Sequence, residues 1–381
     1  MLSQPDEPVA IICIDGRMLK DGGAGTGVGQ YARTVIAALQ VVGQPTLVLE
    51  DGGPMEHRSR NIKWLAALRP WNRIASINKQ AFQARDIFRE AQVFFSIYKR
   101  PMPIRLPGIP GIMHWSYPLP LKAIGWRNLY TVHDVIPLDP DIPSPVNGPR
   151  LRSMLDALCA SGGDFVTVSE TARTQIVARM GWPANKIATC HQAADVPSVR
   201  NGTELPNGLR RGDYLLYVGA VEARKNLIRL LEAYKTSGIT TPLVISGPDG
   251  LDAASINAHI AATRGAIRFE LQTRDTVVQL IAEARALILM SLAEGFGLPV
   301  VEAMTLGTPV LSANVPGLAE VGGGATLLVD PLNLMEIRKG LAAIDGDAEL
   351  RDRLSALGLK RARHFALEPY ARRLLKLYGM A

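Results

Sequence analysis

Short β-branched and apolar runs alternate along this chain with longer stretches in which apolar residues recur every three to four positions. In the first half the runs are VAIICID (9–15), TLVLE (46–50), AQVFFSI (91–97), NLYTVHD (128–134) and FVTVS (165–169), and each is expected to be a strand. Helical periodicity lies between or after them, at 28–40 and 170–180. Residues 196–213, VPSVRNGTELPNGLRRGD, break every period with Pro, Gly and Asn, and an interdomain linker is placed at 198–213. The alternation then restarts with YLLYVG (214–219), a helix near 226–236, LVISG (243–247), ALILMS (286–291), PVLSA (309–313) and TLLVD (326–330). Strands that are apolar almost throughout belong to parallel sheets covered by helices on both faces. The expected class is therefore α/β, with two doubly wound sheets facing a cleft. The first domain is placed at 1–197 and the second at 214–364, with a C-terminal helix, 365–381, returning to the first domain.

Composition agrees with two folded domains: 381 residues, 47% apolar and 20% charged. Three widely spaced cysteines, Cys13, Cys159 and Cys190, form neither a disulfide framework nor a zinc-ligand pattern. The opening MLSQPDEP has acids where a signal peptide carries positive charge, and no apolar run is long enough to span a bilayer. The expectation is a cytoplasmic protein. Its net charge is +7, and residues 57–105 alone hold eleven Lys and Arg against two acids, Asp86 and Glu90. Such a patch suits an anionic membrane surface or nucleic acid, and equally a plain solvated face.

Ligands of doubly wound sheets bind beyond the carboxyl ends of the strands, so the strand-to-loop junctions carry the chemistry. After ALILMS comes LAEGFGL, then PVVEAMTL, expected to be a helix with Pro299 in its first turn. The start of that helix offers unpaired amides and partial positive charge to an anion, and Gly295 and Gly297 allow close backbone approach. Glu294 and Glu302 flank this turn. Ionised carboxylates accept strong hydrogen bonds from hydroxyls, so the pattern suits a ligand carrying both phosphate and hydroxyls, such as a nucleotide-sugar. The plainer alternative is two acids at a helix end. GAVEARKNLIRLLEAY (219–234) also follows a strand and brings Arg224 and Lys225 to a helix start, where together they make a diphosphate clamp.

VG..E.RKN, SGPDG (246–250), EGFGLPVVEA, GTPVLSA and LLVDP stand in the order and spacing of the retaining glycosyltransferases of family 4, which the chain resembles over nearly its whole length. The family's Glu-x7-Glu signature is met by Glu294 and Glu302. In the first half IDGRML, GTGVGQYARTVIAAL, YTVHDVIPL (130–138) and VTVSE (166–170) also match. The resemblance implies the GT-B fold of two Rossmann-like domains, with donor on the second and acceptor on the first. It implies that Glu302 holds the donor ribose and Glu294 contacts the transferred sugar. Phe296, Gly297 and Leu298 would offer backbone amides, Arg224 and Lys225 would hold the diphosphate, and His133 would stand near the sugar. Gly27 and Gly29 would belong to the first-domain loop against the diphosphate. Two stretches depart from the family: CHQAAD (190–195) replaces an Asn-Gly-Val-Asp string, and FELQTRD (269–275) lacks a glycine. The implied activity is retaining and needs no metal or cofactor. GVGQY with HDVIP is similar to bacterial members that build surface polysaccharide, several of which use GDP-mannose. A polyprenyl-linked glycan acceptor would then place residues 57–105, with Trp64 and Trp71 among the cations, on the inner membrane face.

Two other classes fit parts of the sequence. GVGQYA (27–32) with Glu50 satisfies a dinucleotide fingerprint, yet Gly27 lies twelve residues after Asp15, too far for the tight turn that an NAD(P)-dependent oxidoreductase needs. A non-enzymatic nucleic-acid or membrane module would use the basic patch, but no nucleic-acid motif is present and no nucleic-acid partner is expected. The strings Asp139/Asp141 and Asp345/Asp347 are read as chance and not as a metal site.

Overall fold

A computed structural model describes residues 11–19, 27–52, 73–78, 81–199 and 205–380. They form two helix-covered α/β domains, each built on a mainly parallel sheet, as the alternating pattern predicts. From edge to edge the first sheet runs Ile187–Thr189, Asp164–Thr167, Arg127–Thr131, Ile112–Trp115, Ile12–Asp15, Thr46–Asp51, Ala81–Ala84 and Ser76–Asn78. Ser76–Asn78 alone is antiparallel to its neighbour. Ile12 pairs with Thr46 on one side and Ile112 on the other, so the strand order reverses beside the first strand.

The second sheet runs Ala266–Phe269, Leu243–Ser246, Leu215–Val218, Ala286–Leu289, Val310–Ala313 and Leu327–Val329, all parallel. Its reversal lies between Leu215–Val218 and Ala286–Leu289. Leu243–Ser246, Ala286–Leu289 and Val310–Ala313 are buried at every position, which explains why their sequences show no polar alternation. A smaller three-stranded sheet, Arg73–Ile74, Met102–Arg105 and Leu121–Ala123, stands beside the first.

One expected strand is a helix. AQVFFSI lies inside the helix Ile87–Tyr98, whose buried apolar residues Ile87, Phe88, Ala91, Phe94 and Phe95 follow the 3.6-residue period. The aromatic run looks β-like only when the preceding IFRE is cut away from it. The strands Ile112–Trp115 and Ala266–Phe269 also escape the apolar pattern. GIMHW contains a histidine and a glycine, and AIRF an arginine, so neither reads as a continuous run.

The helix Leu367–Tyr378 crosses to the first domain. Tyr378 Oη lies 2.7 Å from His114 Nδ1, and Arg127 donates to the carbonyls of Leu377 and Tyr378 at 3.2 and 3.1 Å. The basic and aromatic residues Arg58, Arg60, Lys63, Trp64, Arg69 and Trp71 lie outside the described residues. Among the described residues no helix is long and apolar enough to cross a membrane.

Candidate functional site

The loops that leave Leu215–Val218 and Ala286–Leu289 diverge at the reversal of the second sheet, and a crevice at such a point is where doubly wound sheets bind ligands. The first of these loops forms a short 3-10 turn, Ala223–Lys225, closed by Asn226 in a left-handed conformation at φ 59°. Asn226 Nδ2 donates to Pro331 O at 2.8 Å and holds that turn in place. The Leu292 amide donates to Arg224 O at 2.9 Å, so the two loops are tied by backbone as well as by side chains.

Glu294 is the hub. Its Oε1 accepts from Lys225 Nζ at 2.5 Å and from Ser291 Oγ at 2.7 Å, and its Oε2 accepts from Arg224 at 3.3 Å. Arg224 also donates to Ala293 O and Glu222 Oε1, both at 2.7 Å. Burial pushes the Glu294 carboxyl upward, but the Lys225 ammonium, the Arg224 guanidinium and the hydrogen bonds hold it down to about 2. It is therefore a fixed carboxylate at neutral pH and not a proton donor. Burial also acts against the Arg224 cation, and the carboxylates Glu294, Glu222 and Asp134 outweigh it and raise its pKa.

Two glycines here are required by geometry. A Cβ on Gly295 would stand 2.6 Å from His133 O, so only glycine allows this loop so close to the first domain. Gly297 caps the helix Leu298–Thr305 at φ 93°, and a Cβ there would meet Leu318 at 2.4 Å. Pro299 sits in the first turn of that helix, whose leading amides have no partner within the helix. Phe296 is buried, with its ring edge-on to Phe365 at 5.6 Å.

Glu302 lies one turn into the helix, 4% exposed, and pairs with Arg274 at 2.7 Å. Sequence reasoning missed Arg274, which falls inside the departing FELQTRD stretch. The usable signal was Thr273, an N-cap whose side chain accepts from Thr276 N and opens the helix Arg274–Glu283 at the cleft. Glu222, Ser291 and Gln192 were missed too.

From the first domain, His133 reaches the same cleft. Burial lowers its pKa to about 4 against the raising effect of its hydrogen bond, so the imidazole is neutral at pH 7. Nε2 lies 2.8 Å from Ser116 O and must be the protonated nitrogen, because a carbonyl can only accept. That leaves Nδ1 with a free lone pair. Gly27 opens the helix Gly27–Val41, and a Cβ on it would lie 4.0 Å from Leu298 Cδ1; Gly29 is buried one residue pair further on. A cavity of about 880 Å³ is lined by Gly27, Gln30, Arg33 and His133 on one side and by Arg224, Lys225, Arg274, Glu294, Gly297 and Glu302 on the other. The structure thus brings together all the expected residues except Gly29, which lies behind Gly27 in the same helix and does not line the cavity.

Residues 207–361 match the family model described as glycosyl transferases group 1. This segment is similar to a group 1 glycosyltransferase domain. It contains Arg224, Lys225, Glu294 and Glu302; the string at 27–32 lies outside it and starts at a helix, not at the strand turn that a dinucleotide fingerprint needs. The chain is 32% identical over 229 residues to O-antigen chain mannosyltransferase B of Escherichia coli, a match covering 57% of this chain and 60% of that protein. It is 23% identical over 279 residues to the serotype-specific mannosyltransferase WbdA of Escherichia coli, covering 66% of this chain and 33% of the relative. Among solved structures, sucrose-phosphate synthase from Thermosynechococcus elongatus superposes with a TM-score of 0.71 at 18% identity, covering 97% of this chain and 98% of that one. The fold is GT-B, as the sequence resemblance implies.

Proposed function

We propose that the chain is a retaining, metal-independent glycosyltransferase. It would move mannose from GDP-mannose to a glycan acceptor in cell-surface polysaccharide synthesis. The observation that carries this reading is the Arg224–Lys225–Glu294 cluster at the reversal of the second sheet, faced across the cleft by His133. Breaking a sugar–phosphate bond develops negative charge on the departing diphosphate. Two cations and the amides at the start of Leu298–Thr305 are already aimed at one crevice, so they stabilise that charge with little reorganisation. Glu294 then serves as an acceptor for sugar hydroxyls, and Glu302 for the ribose. The neutral His133 accepts through Nδ1. A fixed carboxylate between two cations is poorly suited to attack the sugar, which favours a departing phosphate oxygen that takes the acceptor proton on the same face. The names of the curated relatives support mannose as the sugar and a polysaccharide chain as the acceptor.

Thermal stabilisation by a panel of nucleotide-sugars tests the donor. A ligand at 100 times its Kd adds about 2.7 kcal/mol to stability, which is readily seen as a rise in Tm. GDP-mannose is expected to give the largest rise. A larger rise with a UDP-sugar would overturn the donor assignment, and no rise with any nucleotide-sugar would overturn the glycosyltransferase reading.

A further inference from the structure

Outside the cleft, the helix Pro316–Gly322 touches both ends of the catalytic loop. A Cβ on Gly317 would stand 2.2 Å from Glu294 O, and Leu318 fills the space beside Gly297. The same helix carries Glu320, whose side chain points to the other domain. Glu320 Oε1 accepts from the Glu170 amide at 2.8 Å and Oε2 from the Thr171 amide at 2.7 Å. Those amides open the first-domain helix Glu170–Met180, where a carboxylate is favoured by the helix dipole. The N-cap of that helix, Ser169, donates to Gly295 O at 2.6 Å, so the catalytic loop itself is bonded to the first domain one residue away.

This contact also sits where the chain passes between the domains. His191 Nε2 lies 2.7 Å from Glu320 Oε1, and His191 Nδ1 lies 3.3 Å from His364 Nε2. The Ala194 amide donates to Phe365 O at 3.1 Å, joining the two crossing segments. Arg361 donates to the carbonyls of Glu320 and Val321 at 2.9 and 3.0 Å. Glu320 is therefore fixed from the first domain, from one crossing through His191, which His364 of the other crossing touches in turn, and from its own domain. A group at the crossings moves little when the domains rotate, which makes it a pivot and not a latch on the open edge.

Resting on the glycosyltransferase reading, we propose that Glu320 is a positioning residue: it pins the loop bearing Glu294 to the first domain, so that closure brings His133 and the donor sugar into register. Glu320 touches no substrate. The side chains assigned to the nucleotide, Arg224, Lys225 and Glu302, lie in the second domain and keep their partners without it.

The test compares Glu320→Ala and Glu320→Gln in the full chain, measuring kcat with the stabilising nucleotide-sugar and titrating GDP by calorimetry. A misplacement of about 1 Å costs about 100-fold in rate, so Glu320→Ala is expected to lose about that much kcat while GDP affinity stays within about twofold. Glu320→Gln keeps an oxygen for the helix amides and is expected to lose less than about tenfold. Hydrogen exchange at the Glu170 and Thr171 amides should quicken in Glu320→Ala with the rest of that helix still protected. Wild-type kcat in Glu320→Ala overturns the positioning role, and so does a loss of GDP affinity in step with kcat. A wild-type protein that neither binds GDP nor transfers sugar sinks the functional reading itself, and the positioning role with it.

Discussion

Glu294→Ala is expected to abolish most turnover while leaving nucleoside diphosphate affinity unchanged or improved. In the wild-type site the Glu294 carboxylate lies between Lys225 and Arg224. Removing it frees both cations for the diphosphate, so binding of GDP alone does not suffer. On the proposed reading the transferred sugar loses its fixed acceptor, and a preorganised group of this kind is worth about 10²–10³ in kcat. Glu302→Ala should behave differently. Its carboxylate is 4% exposed, and Arg274 is its partner. If it holds the ribose, GDP affinity falls with the loss of a charge-assisted hydrogen bond, about 1.5–3 kcal/mol or roughly 10–100-fold. Parallel calorimetric titrations and rate measurements on the two variants separate the roles. Equal loss of GDP binding in both would refute the division between them.

Lys225→Ala carries the second large effect, and it acts twice. On the proposed reading the ammonium is a direct donor to the developing diphosphate charge, worth about 10²-fold in rate on the same grounds. It is also the leading cause holding Glu294 at about 2 against the upward push of burial. Without it the Glu294 carboxyl must rise. The variant should therefore lose activity on acidification at a higher pH than wild type, because protonating Glu294 removes the acceptor for the sugar. Its GDP affinity should also fall and become less sensitive to salt, as one cation fewer meets the phosphates. A pH–rate profile with the wild-type acid limb would refute this coupling. Unchanged GDP affinity would remove Lys225 from the diphosphate site.

Much of the second domain was legible because Leu215–Val218, Leu243–Ser246 and Ala286–Leu289 are short apolar runs that lead into a glycine or serine. ALILMS followed by EGFGLP gives strand, close-approach loop and helix start within fourteen residues. The first domain was harder. AQVFFSI imitates a strand until the apolar positions of Ile87–Tyr98 are counted together, and GIMHW hides a central strand behind His114, whose ring is satisfied by Thr131 and Tyr378. Within the site, the residues named from contiguous motifs come together at the cleft, apart from Gly29, whereas Arg274, defined by a distant partner, was not legible. Arg274 is informative only beside Glu302, and Glu320 only beside Glu170 and Thr171, some 150 positions earlier. Nothing local marks such pairs; only the folded packing, within the second domain for Arg274 and between the domains for Glu320, reveals them.

The most direct test of the central claim is the product itself. The protein would be incubated with GDP-mannose, a mannose-terminated oligosaccharide acceptor and excess EDTA, and the product examined by mass spectrometry and NMR. The account predicts an acceptor heavier by one hexose, joined with the anomeric configuration of the donor, formed at the same rate with or without the chelator. An inverted linkage, or transfer abolished by EDTA and restored by a divalent ion, would contradict it.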